Sequence, residues 1–219
     1  MLNREDQVKI GVIGAGNVGG TLGKLWAGKG HEIVFGVRDS RDAKVQELVK
    51  SADGKARAAS VKDAASFGEV IVLATPWPAT EAAIKSAGSL AGKVLIDCVN
   101  PLAPDLSGLL IGTNNSAAEE ISRWAPGAKV VKAFNTIGAV NFKNPRFGSE
   151  NASMFICGDD ASAKSTVSTL AAELGFDVVD AGPLIAARWL EPLAALWIHL
   201  AFKQGLGPTG HAFKLLRRS

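Results

Sequence analysis

Length, composition and charge together indicate a globular protein and disfavour two classes of partner. The chain has 219 residues, of which 47% are hydrophobic, so it can bury a sizeable core. Its net charge is only +3, and apart from Lys214, Arg217 and Arg218 near its end the basic residues are dispersed. This distribution argues against nucleic acid or a membrane surface as a partner.

Cysteine and histidine usage indicates a reduced protein without a metal centre. The first six residues are polar and form no signal peptide, and Cys98 and Cys157 lie in apolar strand-like runs. These runs predict buried, reduced thiols, so we expect a cytoplasmic protein. His31, His199 and His211 are far apart and have no ligand neighbours at useful spacing. We therefore expect no metal.

Apolar runs alternate with helical patterns from residue 8 to residue 180, with short joins between them. The alternation is typical of βα units and predicts an α/β protein, a Rossmann-like doubly wound and mostly parallel sheet with a small C-terminal helical part. The predicted strands are residues 8–13, 33–35, 56–59, 69–75, 93–99, 129–134, 152–157 and 176–180. The predicted helices are residues 18–26, 43–51, 61–67, 79–90, 117–124 and 161–174.

The C-terminal part predicts a separate helical segment. Residues 184–202 form a helical pair or one kinked helix that is apolar nearly all round, so it must be buried. Arg188, Glu191 and Pro192 interrupt it too often for a membrane span, and Arg188 and Glu191 are spaced to pair with each other and face the cleft. We predict a nucleotide-binding domain at 1–182 and a helical segment at 183–219, which ends in a short basic helix. Little chain remains to cover this helix, so a second subunit is its natural cover and we expect a homodimer.

A glycine-rich turn follows the first predicted strand. It contains Gly14, Gly16 and Gly19, with Asn17 and Val18 before the last glycine, and a helical pattern and a second strand follow. In this context GxGxxG is a dinucleotide-binding fingerprint. The first glycine allows a sharp turn, the second admits a pyrophosphate, and the third lets the helix pack closely, while the helix N-terminus favours an anion. The alternative is a purely structural turn.

The end of the second predicted strand indicates which dinucleotide is bound. NAD sites place a carboxylate about 20 residues after the glycines, to bind the ribose 2′-hydroxyl. Here Arg38 stands at that place, and Ser40 can add a donor. A guanidinium binds a 2′-phosphate through charge-assisted hydrogen bonds, so the sequence predicts NADP(H). The alternative is a solvated loop arginine paired with Asp42.

Three further turns follow predicted strands, where open α/β sheets bind ligands. Trp77 could stack on a bound ring or pack the loop onto the domain, and Asn135 and Thr136 could bind a carboxamide or bond within their own turn. The loop at 102–116 is long enough to be functional. The candidate residues in these turns are Thr75, Pro76, Trp77, Asn100, Asn135, Thr136 and Ile137.

With these residues in place, the chain from about residue 9 to residue 216 resembles the NADP-dependent reductases of the deazaflavin coenzyme F420. It is also similar to the cytosolic domain of the six-transmembrane epithelial antigen metalloreductases. The resemblance implies a small-molecule redox partner: NADP(H) exchanges hydride directly with a deazaflavin (F420) or with FMN or FAD. The segments that carry it are IGVIGAGNVGGTLG, HEIVFGVR, IVLATPW, VLIDCVNPL, KVVKAFNTIGA, ICGDD and AGPLIAARWLEPLA.

The resemblance also implies roles for individual residues. By position, Gly14, Gly16, Asn17, Val18 and Gly19 hold the pyrophosphate and Arg38 binds the 2′-phosphate. Thr75, Pro76 and Trp77 flank the ribose and adenine side, and Asn135 and Ile137 lie beside the nicotinamide. The chain departs from the archaeal deazaflavin reductases at Val37, Asp42 and the Asn135–Gly138 turn, which is closer to the metalloreductase domain.

No residue stands out as a general acid, which a hydroxyacid dehydrogenase would need. Hydride transfer between two cofactor rings requires chiefly ring placement and exclusion of water. The sequence therefore favours an NADPH-dependent oxidoreductase acting on a deazaflavin or flavin, with no catalytic side chain assigned. Two alternatives stay open: an NADP-dependent dehydrogenase or imine reductase of a small organic substrate, and a non-catalytic NADP-binding protein.

Overall fold

The computed structural model describes residues 7–52 and 54–218, so the polar segment 1–6, read above as lacking a signal peptide, lies outside the described residues. The strands are β1 (Lys9–Ile13), β2 (Glu32–Gly36), β3 (Ala56–Ala59), β4 (Val70–Leu73), β5 (Val94–Asp97), β6 (Lys129–Lys132), β7 (Arg146–Phe147), β8 (Glu150–Asn151), β9 (Ser153–Gly158) and β10 (Asp177–Asp180). The helices are α1 (Asn17–Lys29), α2 (Ala43–Lys50), α3 (Val61–Phe67), α4 (Trp77–Ala87), α5 (Ala117–Trp124), α6 (Ala161–Glu173) and α7 (Ala187–Phe202).

Eight strands form one sheet in the order β3-β2-β1-β4-β5-β6-β9-β10. Every neighbouring pair is parallel except β6 and β9. The first six strands follow the order expected for a Rossmann fold. The predicted fold class, a doubly wound and mostly parallel sheet with a helical C-terminal part, is therefore confirmed.

Alternation along the central strands builds a core on each face of the sheet. Val12 and Val72 join one buried cluster with Leu22 and Trp26 of α1. Ile71 and Leu73 join the other, with residues of α4 and α5. Both faces are covered by helices, which explains why these strands read as nearly unbroken apolar runs.

Apart from shifts of one to three residues at the ends of several elements, the main differences from the predicted elements are these. Helix α4 begins at Trp77, two residues earlier than predicted, because Pro76 is its N-cap and Pro78 fits its first turn. The short hairpin of β7 and β8 was not predicted. The tail from residue 203 to residue 218 contains no helix, so the prediction of a short basic helix there is wrong.

The C-terminal segment is a short 3-10 turn, Leu184–Ala186, followed by the continuous helix α7, which includes Pro192. One face is buried and carries Leu190, Ala194 and Trp197. The opposite face is exposed in the single chain, so its burial by a second subunit stays a prediction. Its exposed side chains are Ile185 (45%), Trp189 (69%), Leu196 (48%) and Phe202 (56%).

Among the described residues, Leu184–Phe202 is the segment whose length and mean hydropathy of 1.2 would suffice to cross a bilayer. Of its most apolar window, 44% is buried inside the protein. The core helix of a soluble protein meets the same criterion, so this property alone does not indicate a membrane span.

Candidate functional site

The candidate residues come together at one edge of the sheet. Ile13, Leu73, Asp97 and Lys132 end strands β1, β4, β5 and β6 and are register partners in turn. The four turns that follow therefore lie side by side along one line, which we call the carboxyl edge. The glycine-rich turn is at one end of this line and the Asn135 turn is at the other.

The glycines of the first turn are required for different reasons. Gly14 has φ +101°, and a Cβ there would lie 2.5 Å from the Ala74 carbonyl oxygen. A Cβ on Gly19 would lie 1.9 Å from the Gly14 carbonyl oxygen, so only glycine fits where the helix meets the strand. A Cβ on Gly16 would meet nothing within 4 Å. Gly16 therefore borders open space, as a residue that lets a phosphate approach should.

The N-terminus of α1 fits an anion. No side chain caps it, and its first turn contains no acidic residue. Four other helices are capped by side chains, from Asp42, Ser60, Ser116 and Asp160. Free N–H groups and the positive end of the helix dipole favour negative charge. Exposed Asn17 and half-buried Val18 form the start of this helix.

Arg38 is exposed just beyond β2, at the side of the glycine-rich turn. The alternative in which it pairs with Asp42 is not seen among the described residues, where Asp42 Oδ1 accepts the backbone N–H groups of Lys44 and Val45. Ser40 is half-buried, and its carbonyl accepts Gln46 Nε2 at 2.6 Å. The geometry leaves the Arg38 guanidinium in solvent at the edge of the site.

The Thr75–Trp77 segment forms the start of α4. Thr75 Oγ1 lies 3.0 Å from Thr80 Oγ1, and the Thr80 hydroxyl donates to the Pro76 carbonyl at 3.1 Å. The Trp77 ring stacks on Trp124, with centroids 5.2 Å apart and planes inclined by 26°. One face of Trp77 therefore packs α4 on α5, as in the packing alternative, and its contact with a cofactor stays a prediction.

Asn100 and Asn135 join the turns after β5 and β6. Asn100 Nδ2 donates to the Asn135 carbonyl at 3.0 Å, and Asn135 Nδ2 donates to Asn100 Oδ1 and to the Leu190 carbonyl of α7, both at 3.1 Å. Asn135 is 6% exposed, and its Oδ1 has no hydrogen-bond donor among the described residues. A buried amide oxygen without a donor is suited to accept one from a ligand.

Phe134 turns the chain sharply before Asn135. Its φ is +60°, a left-handed conformation that is strained for a bulky side chain. Its ring packs edge-on against Trp26, Phe142 and Phe176, with centroids 5.6–6.1 Å apart. We call these four rings the aromatic cluster; its packing holds the strained turn in place. Strain of this kind concentrates at functional sites.

Thr136 and Ile137, both predicted site residues, are buried, with 1% and 5% of their surface exposed. Ile137 belongs to the hydrophobic core beside the aromatic cluster. Gly138 follows, and a Cβ there would lie 2.3 Å from Trp197 Cη2, so α7 packs directly against this turn. A ligand contact from Thr136 or Ile137 stays a prediction.

A fully buried ionic cluster lies beneath the Asn135 turn and was missed by sequence reasoning. Lys132 Nζ is 2.8 Å from Asp97 Oδ2, 2.9 Å from Glu191 Oε1 and 2.5 Å from the Val99 carbonyl oxygen. We call Lys132, Asp97 and Glu191 the buried triad. A charged residue inside each of two apolar strand runs, KVVKAF and VLIDCV, was the available signal.

The electrostatics of the buried triad keep its lysine charged. Burial alone would lower the pKa of Lys132, but the two carboxylates outweigh it and raise that pKa above its ordinary value. Burial raises the pKa of Asp97, and the Lys132 charge opposes that rise. Lys132 is therefore a fixed cation and not a proton donor at neutral pH.

Glu191 and Arg188 bind the N-terminus of α5 and not each other, so the predicted pairing of these two residues is wrong. The Glu191 carboxylate accepts the N–H groups of Ala117 at 2.9 Å and Ala118 at 3.1 Å. Arg188 binds Glu119 through Nε at 2.9 Å and a second nitrogen at 2.7 Å. Helix α7 is thereby fixed to α5 at the carboxyl edge.

The two cysteines are buried and free, as predicted. Burial raises the pKa of the Cys157 thiol to about 12 and that of Cys98 above its ordinary value. Neither is a thiolate at neutral pH, so neither is a candidate nucleophile. Across residues 7–52 and 54–218, no cluster of three or more His, Cys, Asp or Glu side chains could hold a metal.

Fold, glycine cradle and helix N-terminus together define a Rossmann-type protein with a site suited to a dinucleotide. A family model described as NADP oxidoreductase, coenzyme F420-dependent, matches residues 9–101. The F420-dependent NADP reductase of Methanothermobacter marburgensis is 32% identical over 217 residues, which cover 93% of this chain and 96% of that protein. The chain belongs to this family and is an NADP-dependent oxidoreductase.

Two other similarities extend the comparison. A crystal structure of an Arthrobacter sp. FB24 protein, proposed to be an F420-dependent NADP reductase, has a TM-score of 0.86 and 35% identity and covers 96% of this chain and 100% of that one. The metalloreductase STEAP3 of Rattus norvegicus is 33% identical over 186 residues, 84% of this chain. Those residues are 36% of STEAP3, so this chain spans about a third of that relative's length.

Proposed function

We propose that this protein transfers hydride between NADP(H) and a deazaflavin such as F420 or a flavin (FMN or FAD). The observation that carries the proposal is the carboxyl edge, with an uncapped helix and open glycine cradle at one end and a buried amide oxygen without a donor at the other. Family membership supports the nicotinamide half of the reaction.

Different residues along this edge bind different parts of the cofactor. The backbone of Gly14, Gly16 and Gly19 and the first residues of α1, Asn17 and Val18, hold the pyrophosphate. Arg38 and Ser40 contact the 2′-phosphate. Thr75, Pro76 and Trp77 border the ribose and adenine, while Asn100, Asn135, Thr136 and Ile137 form the floor where the nicotinamide lies. When bound, NADPH supplies the hydride.

Among the described residues of this edge, the lysine and the two thiols are unsuited to supply a proton. Lys132 is held by two carboxylates and stays charged, and the two thiols nearby stay protonated. Reduction of a ketone or imine needs a general acid, whereas hydride transfer between two rings needs placement and a dry site. The chemistry of the described residues therefore favours a ring acceptor over a small organic substrate.

We also propose that two copies associate through α7 to form a homodimer. Trp189, Leu196 and Phe202 are exposed on α7, and Ile185 is exposed in the 3-10 turn that precedes it. Several large apolar side chains exposed on one segment support an interaction surface there. On this proposal residues 1–182 bind the nucleotide and residues 183–219 provide the dimer contact, in a protein of the reducing cytoplasm that carries two free thiols.

NADPH oxidation by the purified protein tests the reaction. Deazaflavin F420, FMN and FAD are supplied in parallel, and NADH replaces NADPH as the control. Turnover with F420 alone supports the deazaflavin reaction, and turnover with FMN or FAD alone assigns the acceptor to the flavins. Reduction of a ketone or imine in the absence of deazaflavin and flavin contradicts the proposal. Tight NADPH binding with no turnover of any acceptor also contradicts it.

A further inference from the structure

We propose that the buried triad is a positioning device that fixes the Asn135 amide in one orientation, with Oδ1 presented to the bound ring. The inference rests on the proposed function, because it assigns this end of the carboxyl edge to the reacting ring. Lys132, Asp97 and Glu191 are positioning residues and touch neither cofactor nor acceptor.

The Asn135 amide has two possible orientations, which exchange its donor and its acceptor. The structure contains one of them, because two oxygens take both protons of Nδ2: Asn100 Oδ1 and the Leu190 carbonyl. As long as those two oxygens keep their places, Oδ1 must point the other way. The orientation of Oδ1 therefore depends on what holds Asn100 and Leu190.

The buried triad holds both of them through their chain neighbours. Asn100 follows Val99, whose carbonyl accepts Lys132 Nζ at 2.5 Å and whose N–H donates to Asp97 Oδ1 at 2.8 Å. Leu190 precedes Glu191, which is 2.9 Å from Lys132 Nζ. Lys132 thus ties the turn after β5 to helix α7, and Asn135 lies between the two.

The cluster is built for fixed geometry and not for proton exchange. Lys132 and Asp97 are 0% exposed and Glu191 is 1% exposed, so solvent does not loosen the contacts. Both Glu191 oxygens also accept N–H groups from the start of α5. Three separate elements, β5, β6 and α7, are locked at one point, directly beneath the turn that carries Asn135.

The test uses the double variant Lys132→Met/Glu191→Gln. Lys132→Met alone would leave two carboxylates facing each other without a cation and is expected to fold poorly. The double variant is close to the native side chains in shape and keeps the net charge of the cluster at −1, the value that two carboxylates and one cation give in the native triad. Glu173→Gln is the matched control, because Glu173 binds the fully buried His31 at 2.8 Å in an interaction remote from Asn135.

The first measurement needs no acceptor. Hydrogen exchange of the Asn135 side-chain NH2 is followed by NMR, and its signal is identified by its loss in Asn135→Ala. We expect exchange at least about tenfold faster in the double variant, because the two bonds that protect this group open more often, and unchanged exchange in Glu173→Gln. Equal protection in the double variant and the native protein would overturn the proposal.

The second measurement separates positioning from general stability. In single-turnover hydride transfer we expect the rate constant to fall about 10- to 100-fold, since a misplacement of about 1 Å can cost about 100-fold. The NADPH dissociation constant should change less than about twofold, because its phosphate contacts lie at the other end of the edge. Adding Asn135→Ala to the double variant should lower the rate constant of hydride transfer little further. If the effects of the two changes on this rate constant multiply, the triad does not act through Asn135.

The two measurements distinguish failure of the proposed function from failure of this inference. If neither F420, FMN nor FAD supports NADPH oxidation by the native protein, the proposed function fails. The exchange of the Asn135 amide then still decides the role of the triad. If hydride transfer proceeds in the native protein and in the folded double variant at equal rates, the function stands and this inference is overturned.

Discussion

At the residue scale, glycines of one motif differ in what a methyl group would do. The Cβ of an alanine at position 19 would collide with the Gly14 carbonyl oxygen, whereas position 16 is open and has an extended backbone at φ −79°. The fold therefore requires glycine at position 19 but not at position 16. Position 16 can therefore separate binding from stability.

We predict that Gly16→Ala folds normally and loses cofactor affinity. The free energy of unfolding should change by less than about 1 kcal/mol, the usual scale for an N-cap change. The methyl group would occupy space next to the helix N-terminus, and loss of hydrogen bonds to a charged phosphate should weaken NADPH binding by about 1.5–3 kcal/mol. Isothermal titration together with thermal unfolding checks both values.

Gly28→Ala is the control, because Gly28 also borders open space within the same helix. It should leave NADPH binding unchanged and stabilise the protein slightly, through better helix propensity. NADPH affinity that is equal in Gly16→Ala and the native protein would exclude a phosphate at this position.

In the proposed function, Arg38 distinguishes NADPH from NADH. Because its guanidinium is exposed and not paired with Asp42, Arg38→Ala should weaken NADPH binding by about 1.5–3 kcal/mol, the range for a hydrogen bond to a charged group. NADH binding should hardly change. Titration of both cofactors into Arg38→Ala checks this, with Arg57→Ala, a change of another exposed arginine, as the control. Equal losses for NADPH and NADH would refute the 2′-phosphate assignment.

Sequence patterns identified the turn residues more readily than the residues that hold them. Glycine spacing and strand ends point to Gly16 and Asn135 because both signals are local. The buried triad joins residues 97, 132 and 191, and no spacing rule relates positions on three different elements. Only the register of β5 against β6, and the docking of α7, bring those charges together.

At the element scale, α4 and α7 show what local patterns leave undetermined. A proline pair around Trp77 predicts a break, but the fixed φ of proline also suits the start of a helix, and packing on Trp124 favours the helix. For α7 the pattern predicts an apolar helix, yet it does not say which neighbour covers each face. Its buried face meets the sheet domain, and its other face is exposed in the single chain.

The exposed face of α7 yields a prediction about assembly. If two chains meet there, Trp189→Glu should place a charge in the apolar contact and dissociate the dimer. Sedimentation should then give the chain mass of 22.7 kDa in place of twice that value. Leu216→Glu, a change of a leucine that is 75% exposed in the tail, should leave the mass unchanged. A native protein that sediments as a single chain would contradict the proposed homodimer.

At the scale of the whole molecule, the doubly wound and mostly parallel sheet was predictable from the sequence because its causes are general. Alternating strands and helices with short joins lead to right-handed crossovers and a doubly wound sheet. The antiparallel entry of β9 beside β6 was not predictable, since the segment between them, residues 133–152, has no helical crossover pattern. That segment instead holds the Asn135 turn and the short hairpin.

The buried triad contributes little to the stability of the fold. Buried ion pairs seldom stabilise a fold more than apolar residues of the same shape, and removal of one partner typically costs about 3–5 kcal/mol. A charged cluster beneath the carboxyl edge is therefore better explained by the geometry it imposes than by stability. This agrees with its place between three elements that must meet at one point.

The strained backbone at Phe134 has a consequence for redesign of this enzyme. Its conformation costs of the order of 1–3 kcal/mol and persists because the aromatic cluster draws one ring from each of several distant segments. The turn is thus a property of the hydrophobic core and cannot be transplanted as a peptide. Attempts to change the acceptor should leave residues 132–137 intact and vary the loop at 102–116, whose conformation depends little on that core.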